Sequence, residues 1–248
     1  MKRLVAFDLD GTLAESKQAL APDMAALLAD LAGHVAVAVI SGGDWPQFEK
    51  QIVARLPLGA DLTNLFIMPT TGTKLYRCTD GVWRQIYADN FTPAERDRIL
   101  TALDDARQQA GLANEKIWGE QIEDRGSQIT FSGLGQEAPI DAKKAWDPDF
   151  AKRKTMQRIV QGQLRGFAIN VGGSTSIDIT RQGTDKASAM RALAAHSGIA
   201  TADMLFLGDA IYEGGNDYAV KAAGIDTITV RDPAETMTAI AAMLAFLG

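Results

Sequence analysis

Residues 4–12 read Leu-Val-Ala-Phe-Asp-Leu-Asp-Gly-Thr, a short apolar run that leads into two carboxylates on alternate positions. The apolar run, Leu4–Phe7, predicts a buried β-strand. Because residues two apart on a strand point the same way, Asp8 and Asp10 are expected to share one direction. Buried carboxylates are unfavourable without a partner, and a divalent cation or a reacting phosphate would offset that cost. Gly11 then allows the chain to turn sharply away from the strand.

Strand and helix patterns alternate near both ends of the chain. The predicted strands of this pattern, after the first, are 35–40, 65–68, 204–207 and 226–230. The predicted helices are 22–32, 45–56, 185–195 and one from 232 onward. Such alternation is typical of a parallel sheet with helices between its strands. The expected fold class is therefore α/β, with a doubly wound, Rossmann-like parallel sheet as its core.

The middle of the chain has a different pattern, with hairpin and antiparallel features. The predicted elements there are a hairpin over 74–86, strands at 128–131, 166–170 and 176–179, and helices at 93–109 and 149–164. The first of these helices begins with a capping box, Thr92 to Glu95. We expect a core domain of residues 1–84 and 184–248, with an α+β cap domain, residues 85–183, inserted into it.

The composition is that of an ordinary globular protein and argues against several kinds of site. Its net charge of −6 does not favour nucleic acid as a partner. The single cysteine, Cys78, excludes an intrachain disulfide framework and a four-cysteine zinc site. The two histidines, His34 and His196, are too few for a histidine-rich metal centre. Any metal should be a hard ion bound by oxygen, such as Mg²⁺.

The sequence shows no targeting or membrane pattern. Lys2 and Arg3 lead into four apolar residues and then Asp8, which is unlike a signal peptide. No run approaches the roughly 20 apolar residues of a membrane span. We therefore expect a cytoplasmic protein without membrane contacts.

Polar residues are found where the predicted parallel strands end. They are Asp8, Asp10, Ser41, Gly42, Asp209 and the later Asp217, and Lys186 opens the helix before strand 204–207. Ligands of open parallel sheets bind at this edge. Carboxylates can hold Mg²⁺, whereas hydroxyl, amide and lysine groups can hold phosphate oxygens. A carboxylate can also attack phosphorus to form an aspartyl-phosphate. Each of these features alone has an ordinary structural explanation, so the prediction depends on their occurring together.

These polar residues at the strand ends resemble the motifs of the haloacid dehalogenase-like superfamily of phosphotransferases. Asp8–Leu13 is similar to its first motif, DxDGT, and Ser41 follows a hydrophobic strand as in the second motif. Lys186 suits the third motif, and Gly208-Asp209 with Asn216-Asp217 resembles the fourth. The order and spacing of these motifs agree over the whole chain.

This resemblance implies a role for each residue. Asp8 would be the nucleophile and Asp10 the general acid/base. Mg²⁺ would be held by Asp8, the main chain of Asp10 and Asp209, with Asp217 supporting that set. The phosphoryl group would be bound by Thr12, Ser41, Gly42 and Lys186.

The inserted module resembles the large-cap branch, which includes sugar phosphatases and eukaryotic-type phosphomannomutases. Residues 172–179, 208–218 and 125–136 are similar to the mutase segments GGxxSFDVF, GDxxxxGGND and RNGMLNxSPxGR. In those enzymes the cap binds a hexose phosphate. The implied substrate contacts are Arg125, Ser176, Asp178 and Lys17, the last standing where the group has an arginine.

Two departures from the mutase cap segment favour a phosphatase over a mutase, which transfers phosphate between two positions of a sugar. Gln136 replaces the arginine that ends the cap segment, and Thr130 replaces its asparagine. Loss of a bidentate arginine removes a strong clamp for the distal phosphate that a mutase must hold. We expect a phosphatase of a small phosphorylated metabolite, a sugar phosphate, with a hexose phosphate mutase as the alternative.

Three further alternatives stay open. The chain could be a non-catalytic sugar-phosphate-binding protein, although the intact set of acidic residues and Lys186 argues against it. Arg125 and Asp178 could instead form ion pairs within the cap sheet. The mutase group often dimerises through the cap, so a homodimer is among the expectations, but no local pattern marks an interface.

Overall fold

The computed structural model describes residues 2–247, which divide into two compact units. One unit contains the chain up to Ala88 and from Asp185 onward, and the other is Asp89–Thr184. The strands are β1 (Leu4–Phe7), β2 (Ala36–Ile40), β3 (Leu65–Met68), β4 (Lys74–Thr79), β5 (Val82–Ala88), β6 (Ile122–Asp124), β7 (Ile129–Ser132), β8 (Phe167–Gly172), β9 (Ser176–Arg181), β10 (Met204–Gly208) and β11 (Asp226–Thr229). The helices are α1 (Pro22–His34), α2 (Trp45–Gln51), the single turn α3 (Pro69–Gly72), α4 (Pro93–Gln109), α5 (Ile140–Trp146), α6 (Ala151–Gln163), α7 (Lys186–Ser197), α8 (Tyr218–Ala222) and α9 (Pro233–Leu247). Within this described range, no helix is long and apolar enough to cross a membrane.

The first unit is a seven-stranded sheet in the order β11-β10-β1-β2-β3-β4-β5. The strands from β11 to β3 are parallel, and β4 and β5 extend the sheet as an antiparallel hairpin. Side chains of β1 alternate between two cores: Val5 and Phe7 pack with α1, α2 and α9, whereas Leu4 and Ala6 pack with α7 and α8. Burial of both faces explains the continuous apolar runs of the central strands. The predicted doubly wound α/β core is confirmed.

The second unit is a four-stranded antiparallel sheet, β6-β7-β9-β8, with helices on one face. Ile177 and Ile179 of β9 pack with α4 and α6 in a separate hydrophobic core. The opposite face is polar, and Thr130 and Asp178 are paired across β7 and β9 on it. The predicted α+β character is confirmed, although β6 and α5 were not predicted.

A buried ion pair joins α6 to the turn between β8 and β9. Asp147 and Arg153 are each only 2% exposed, and the Arg153 Nε lies 2.8 Å from Asp147 Oδ2. The same guanidinium donates to the carbonyl oxygens of Gly172 and Gly173, at 3.3 and 2.5 Å. Burial alone would raise the pKa of Asp147, but hydrogen bonds from Arg153 and from the α6 main chain lower it.

The observed elements differ from the predicted ones at some ends. Residues 45–56 were predicted as one helix, but α2 stops at Gln51, whose carbonyl accepts a hydrogen bond from the Leu20 N–H at 2.9 Å, and a 3₁₀ turn follows. The predicted domain boundary at residue 84 falls inside β5, because β4 and β5 stay paired as far as Ala88. Helix ends and hairpin lengths depend on such partners from elsewhere in the chain.

Candidate active site

The carboxyl end of β1 places Asp8 in a buried position. Asp8 directly follows Phe7, which pairs with Val39 of β2 and Leu207 of β10. Asp8 therefore lies between the ends of two neighbouring strands. Asp8 is only 4% exposed. The chain then turns at Gly11, which has a φ of +83° and whose added Cβ would lie 2.5 Å from a carboxylate oxygen of Asp209. Only glycine fits this approach between the two loops.

Lys186 and two carboxylates form a buried charged group beside this strand end. The Lys186 Nζ lies 2.6 Å from Asp8 Oδ1 and 2.5 Å from Asp217 Oδ1. The second oxygen of Asp217 accepts a hydrogen bond from the Ala210 N–H at 3.1 Å. Gly208 makes room for this carboxylate, since an added Cβ there would lie 2.3 Å from Asp217 Oδ2. The loop after β10 is therefore shaped around Asp217.

Asp8, Asp209 and Asp217 also form a potential cation site. One carboxylate oxygen from each lies within 4.8 Å of the others. Burial raises the pKa of Asp8 to about 6, with the charge of Asp217 adding to the rise and Lys186 opposing it. Burial and the charge of Asp217 also raise the pKa of Asp209. Three carboxylates face one lysine, so a hard divalent cation such as Mg²⁺ fits both the oxygen donors and the excess negative charge.

Asp10 and Lys17 are placed differently from the other predicted groups. The Asp10 carboxylate is outside the acidic set formed by Asp8, Asp209 and Asp217, and it accepts a hydrogen bond from the Lys17 N–H at 2.6 Å. Lys17 has a left-handed backbone, with a φ of 59°, and an exposed side chain. The expectation that Asp10 binds Mg²⁺ through its main-chain carbonyl stays a prediction. Thr12 is fully buried, and its hydroxyl has no hydrogen-bond partner among residues 2–247.

Ser41 and Gly42 follow β2, and their loop is held by a turn that we did not predict. Thr70 and Thr71 of α3, just after β3, both have left-handed backbones, with φ of 49° and 57°, so α3 is a turn rather than a regular α-helix. Their N–H groups donate to the carbonyl oxygens of Gly43 and Ser41, each at 2.8 Å. A left-handed β-branched residue is an outlier that costs about 1–3 kcal/mol. The Thr-Thr-Gly sequence after a buried strand was the available signal for this turn.

An ion pair also fixes the start of α2, directly after the Ser41 loop. The Lys74 Nζ lies 2.6 Å from Asp44 Oδ1, and the Asp44 side chain accepts a hydrogen bond from the Trp45 N–H at 2.8 Å. Trp45 stacks on Tyr76, with ring centroids 4.1 Å apart. These contacts attach the loop to the β4 hairpin and were not predicted either.

The substrate residues predicted in the inserted unit lie on or beside its sheet. Arg125 forms a bidentate ion pair with Glu123, at 2.8 and 2.9 Å. Asp178 accepts hydrogen bonds from Thr130 at 2.6 Å and Gln128 at 3.1 Å. The alternative of an ion pair within the cap therefore describes Arg125 but not Asp178. Ser176 is half-buried on the same polar face as Asp178.

Comparison with known proteins identifies the family. The family model of eukaryotic phosphomannomutase matches residues 24–246. The chain belongs to the eukaryotic phosphomannomutase family. Phosphomannomutase 2 of Dictyostelium discoideum is 24% identical to this family member over 255 residues, covering 93% of this chain and 92% of its own.

Solved structures show the same fold in other enzymes. An IMP-bound, N-terminally truncated IMP-nucleotidase of Plasmodium falciparum has a TM-score of 0.66 at 14% identity, covering 98% of this chain and 68% of its own. A trehalose-6-phosphate phosphatase of Aspergillus fumigatus has a TM-score of 0.59 at 17% identity, covering 98% and 93%. The resemblance to the haloacid dehalogenase-like superfamily is confirmed, and this phosphomannomutase family member is an enzyme of that superfamily.

Proposed function

We propose that this chain is a magnesium-dependent phosphatase of a small sugar phosphate and that it reacts through an aspartyl-phosphate. The observation that carries this proposal is the buried group of Asp8, Lys186 and Asp217 beside Asp209. A lysine in contact with a buried carboxylate, within a set of oxygen donors, suits an anionic phosphate and its nucleophile together.

Asp8 supplies the attacking oxygen in the proposed reaction. Its carboxylate oxygen bonds to phosphorus while the bond from phosphorus to the leaving oxygen breaks. Asp10 gives a proton to the departing alkoxide and later removes one from water, which attacks the same phosphorus and releases Asp8 and inorganic phosphate. The main-chain N–H of Lys17 holds the Asp10 carboxylate in one orientation for both transfers.

Other residues of the first unit bind the phosphoryl group in this proposal. The Lys186 ammonium would attract the phosphoryl oxygens, and Ser41 and Thr12 offer hydroxyls. Asp8, Asp209 and the Asp10 carbonyl would hold Mg²⁺, with Asp217 in support. When bound, this ion supplies positive charge that reduces repulsion between Asp8 and an anionic phosphate.

Hydrolysis is favoured over a mutase reaction by the inserted unit. Gln136 stands where the resemblance expects an arginine, and Arg125 is engaged by both carboxylate oxygens of Glu123. A mutase must hold the second phosphate of a bisphosphorylated sugar, and this unit lacks one arginine expected to bind that phosphate. The polar sheet face with Ser176 and Asp178 would then bind sugar hydroxyls.

A magnesium-dependent assay with p-nitrophenyl phosphate tests the proposed chemistry. We expect turnover with Mg²⁺, loss of turnover with a chelator, and none in Asp8→Asn. An inert wild-type protein that still binds sugar phosphates would instead support the non-catalytic alternative.

A hexose phosphate mutase is the second candidate, favoured by the family match over residues 24–246. Glucose or mannose 1-phosphate should release inorganic phosphate if the chain is a phosphatase. A mutase would produce the 6-phosphate, with stimulation by the 1,6-bisphosphate. Rapid isomerisation with little phosphate release would reverse our order of the two candidates.

A further inference from the structure

We propose that the Thr71 hydroxyl is an additional phosphate-binding group, donating to a non-bridging oxygen of the phosphoryl group bound at Asp8. This inference rests on the proposed function and adds a residue from the end of a third parallel strand. The groups already considered come from β1, β2 and the region of β10.

The position of Thr71 follows from the pairing of β2 with β3. Ile40 and Met68 are paired as the last residues of their strands, so the Ser41 loop and the turn after β3 leave the sheet side by side. The Thr71 N–H donates to the Ser41 carbonyl at 2.8 Å. A Cβ on Gly42 would lie 3.9 Å from Thr71 Oγ1, so this hydroxyl lies directly beside the Ser41-Gly42 main chain.

The hydroxyl of Thr71 is uncommitted, unlike that of its neighbour. Thr70 is fully buried, and its hydroxyl lies 2.5 Å from the Thr73 hydroxyl within the turn. Thr71 is half-buried, and across residues 2–247 its hydroxyl has no hydrogen-bond partner. The Ser41 hydroxyl has no partner in that range either. Two uncommitted hydroxyls on adjacent loops are suited to an anionic ligand with several acceptor oxygens.

Packing of the turn does not explain the choice of threonine. Gly72 is required, since its φ is +80° and an added Cβ would lie 2.2 Å from the Ala189 Cβ on α7. Thr71, in contrast, has a φ of 57°, where glycine or asparagine is usual and a β-branched residue is strained. The N–H bond to Ser41 needs no side chain at all. Threonine differs from glycine here in carrying a hydroxyl, and we assign phosphate binding to that hydroxyl.

Three substitutions separate the hydroxyl from the shape of the turn. Thr71→Val keeps the β-branched shape and removes the hydroxyl, Thr71→Ser restores a hydroxyl, and Thr71→Gly relieves the backbone strain. Thr238→Val, on an exposed face of α9, is the matched control. The full chain is assayed with p-nitrophenyl phosphate and Mg²⁺, and inorganic phosphate binding is measured by calorimetry under the same conditions.

We expect Thr71→Val and Thr71→Gly to lower kcat/KM about tenfold and to weaken phosphate binding in parallel, as for loss of a hydrogen bond to a charged group. Thr71→Ser should recover most of both. Unchanged kcat/KM and phosphate binding in the valine variant would overturn the inference, and so would full activity in the glycine variant, because the turn alone would then suffice.

The calorimetric measurement keeps this inference distinct from the proposed function. A wild-type protein that binds phosphate without turning over substrate would contradict the phosphatase proposal, while weaker binding by Thr71→Val would still support the role of Thr71. A wild-type protein with neither property would overturn both.

Discussion

At the residue scale, the site concentrates negative charge that its own lysine only partly balances. Asp8, Asp209 and Asp217 lie together, and Lys186 contacts two of them. Both raised pKa values, of Asp8 and Asp209, have burial as their main cause and the charge of Asp217 as the next contribution in the same direction. The arrangement is therefore unfavourable by itself and becomes favourable when a cation is bound.

We predict that Asp8→Asn abolishes turnover and stabilises the metal-free protein at pH 7. The folded pKa of Asp8, about 6, lies above the ordinary aspartate value of 3.8. Protonated Asp8 therefore favours folding below about pH 4, and this contribution is lost as pH rises through about 6. The neutral amide should recover about 1–3 kcal/mol of unfolding free energy at pH 7. Urea unfolding at pH 4 and pH 7 measures the effect.

The pH comparison supplies the control for this prediction. At pH 4 the wild-type protein and Asp8→Asn should have nearly equal stability, because Asp8 is then neutral in the folded wild type. Retained turnover in Asp8→Asn would disprove the nucleophile assignment, whereas equal stability at pH 7 would disprove the unfavourable burial of its charge.

At the scale of elements, the pair of Asp147 and Arg153 fixes the start of α6 to the turn between β8 and β9. Asp147 accepts N–H bonds from Lys152 and Arg153 in the first turn of α6, and Arg153 reaches the carbonyls of the hairpin. A single buried side chain thus sets the position of the segment that leads into Ser176 and Asp178.

We predict that Arg153→Met destabilises the protein by about 3–5 kcal/mol, because it leaves the Asp147 carboxylate buried without its charged partner. The double variant Arg153→Met/Asp147→Leu should recover part of this loss, although it also removes the N-terminal hydrogen bonds of α6. Chemical unfolding followed by circular dichroism measures both variants. A double variant no more stable than Arg153→Met would show that the unpaired charge is not the cause.

Patterns in the sequence were sufficient to predict the helices and strands, but not the side-chain contacts that they make. The apolar runs of β1, β2 and β3 predicted buried strands because a sheet covered on both faces requires them. The motif residues Asp8, Lys186 and Asp217 were predicted as one site, and they are in contact. The turn at Thr70 and Thr71 was not predicted, since its left-handed backbone contradicts the ordinary preference of threonine.

An ion pair of Arg125 within the cap sheet was among the alternatives, but its partner, Glu123, was not predicted. An arginine can serve either as a substrate contact or as an ion-pair partner, so the residue type alone did not decide between the two roles. In the structure Arg125 pairs with Glu123, two residues earlier in the chain. Likewise, the end of α2 at Gln51 depends on a partner, Leu20, that lies far away in the chain.

At the scale of the whole molecule, the two units have separate hydrophobic cores and separate sheets. The acidic residues that could hold Mg²⁺ all belong to the first unit. A ligand that binds only one unit stabilises that unit by mass action, by about 2.7 kcal/mol at a concentration of 100 times Kd.

We predict that Mg²⁺ alone slows amide hydrogen exchange at the ends of β1 and β10 and leaves the β7 and β9 amides unchanged. Exchange measured by mass spectrometry, with and without excess Mg²⁺, tests this expectation. Asp209→Asn is the control and should lose most of the protection. Equal protection of β7 and β9 would contradict independent stabilisation of the first unit.

The central place of β1 in its sheet has a consequence for how this protein is made. Leu4 pairs with Met204, so β1 is synthesised about 200 residues before the β10 strand beside it. Asp89–Thr184 is synthesised in between and carries its own core, which allows it to fold while β1 still has one open edge. An open strand edge in a nascent chain is a surface for misassociation. The acidic centre forms only once Asp217 has emerged, so an incomplete chain carries the first motif without the partners that complete it.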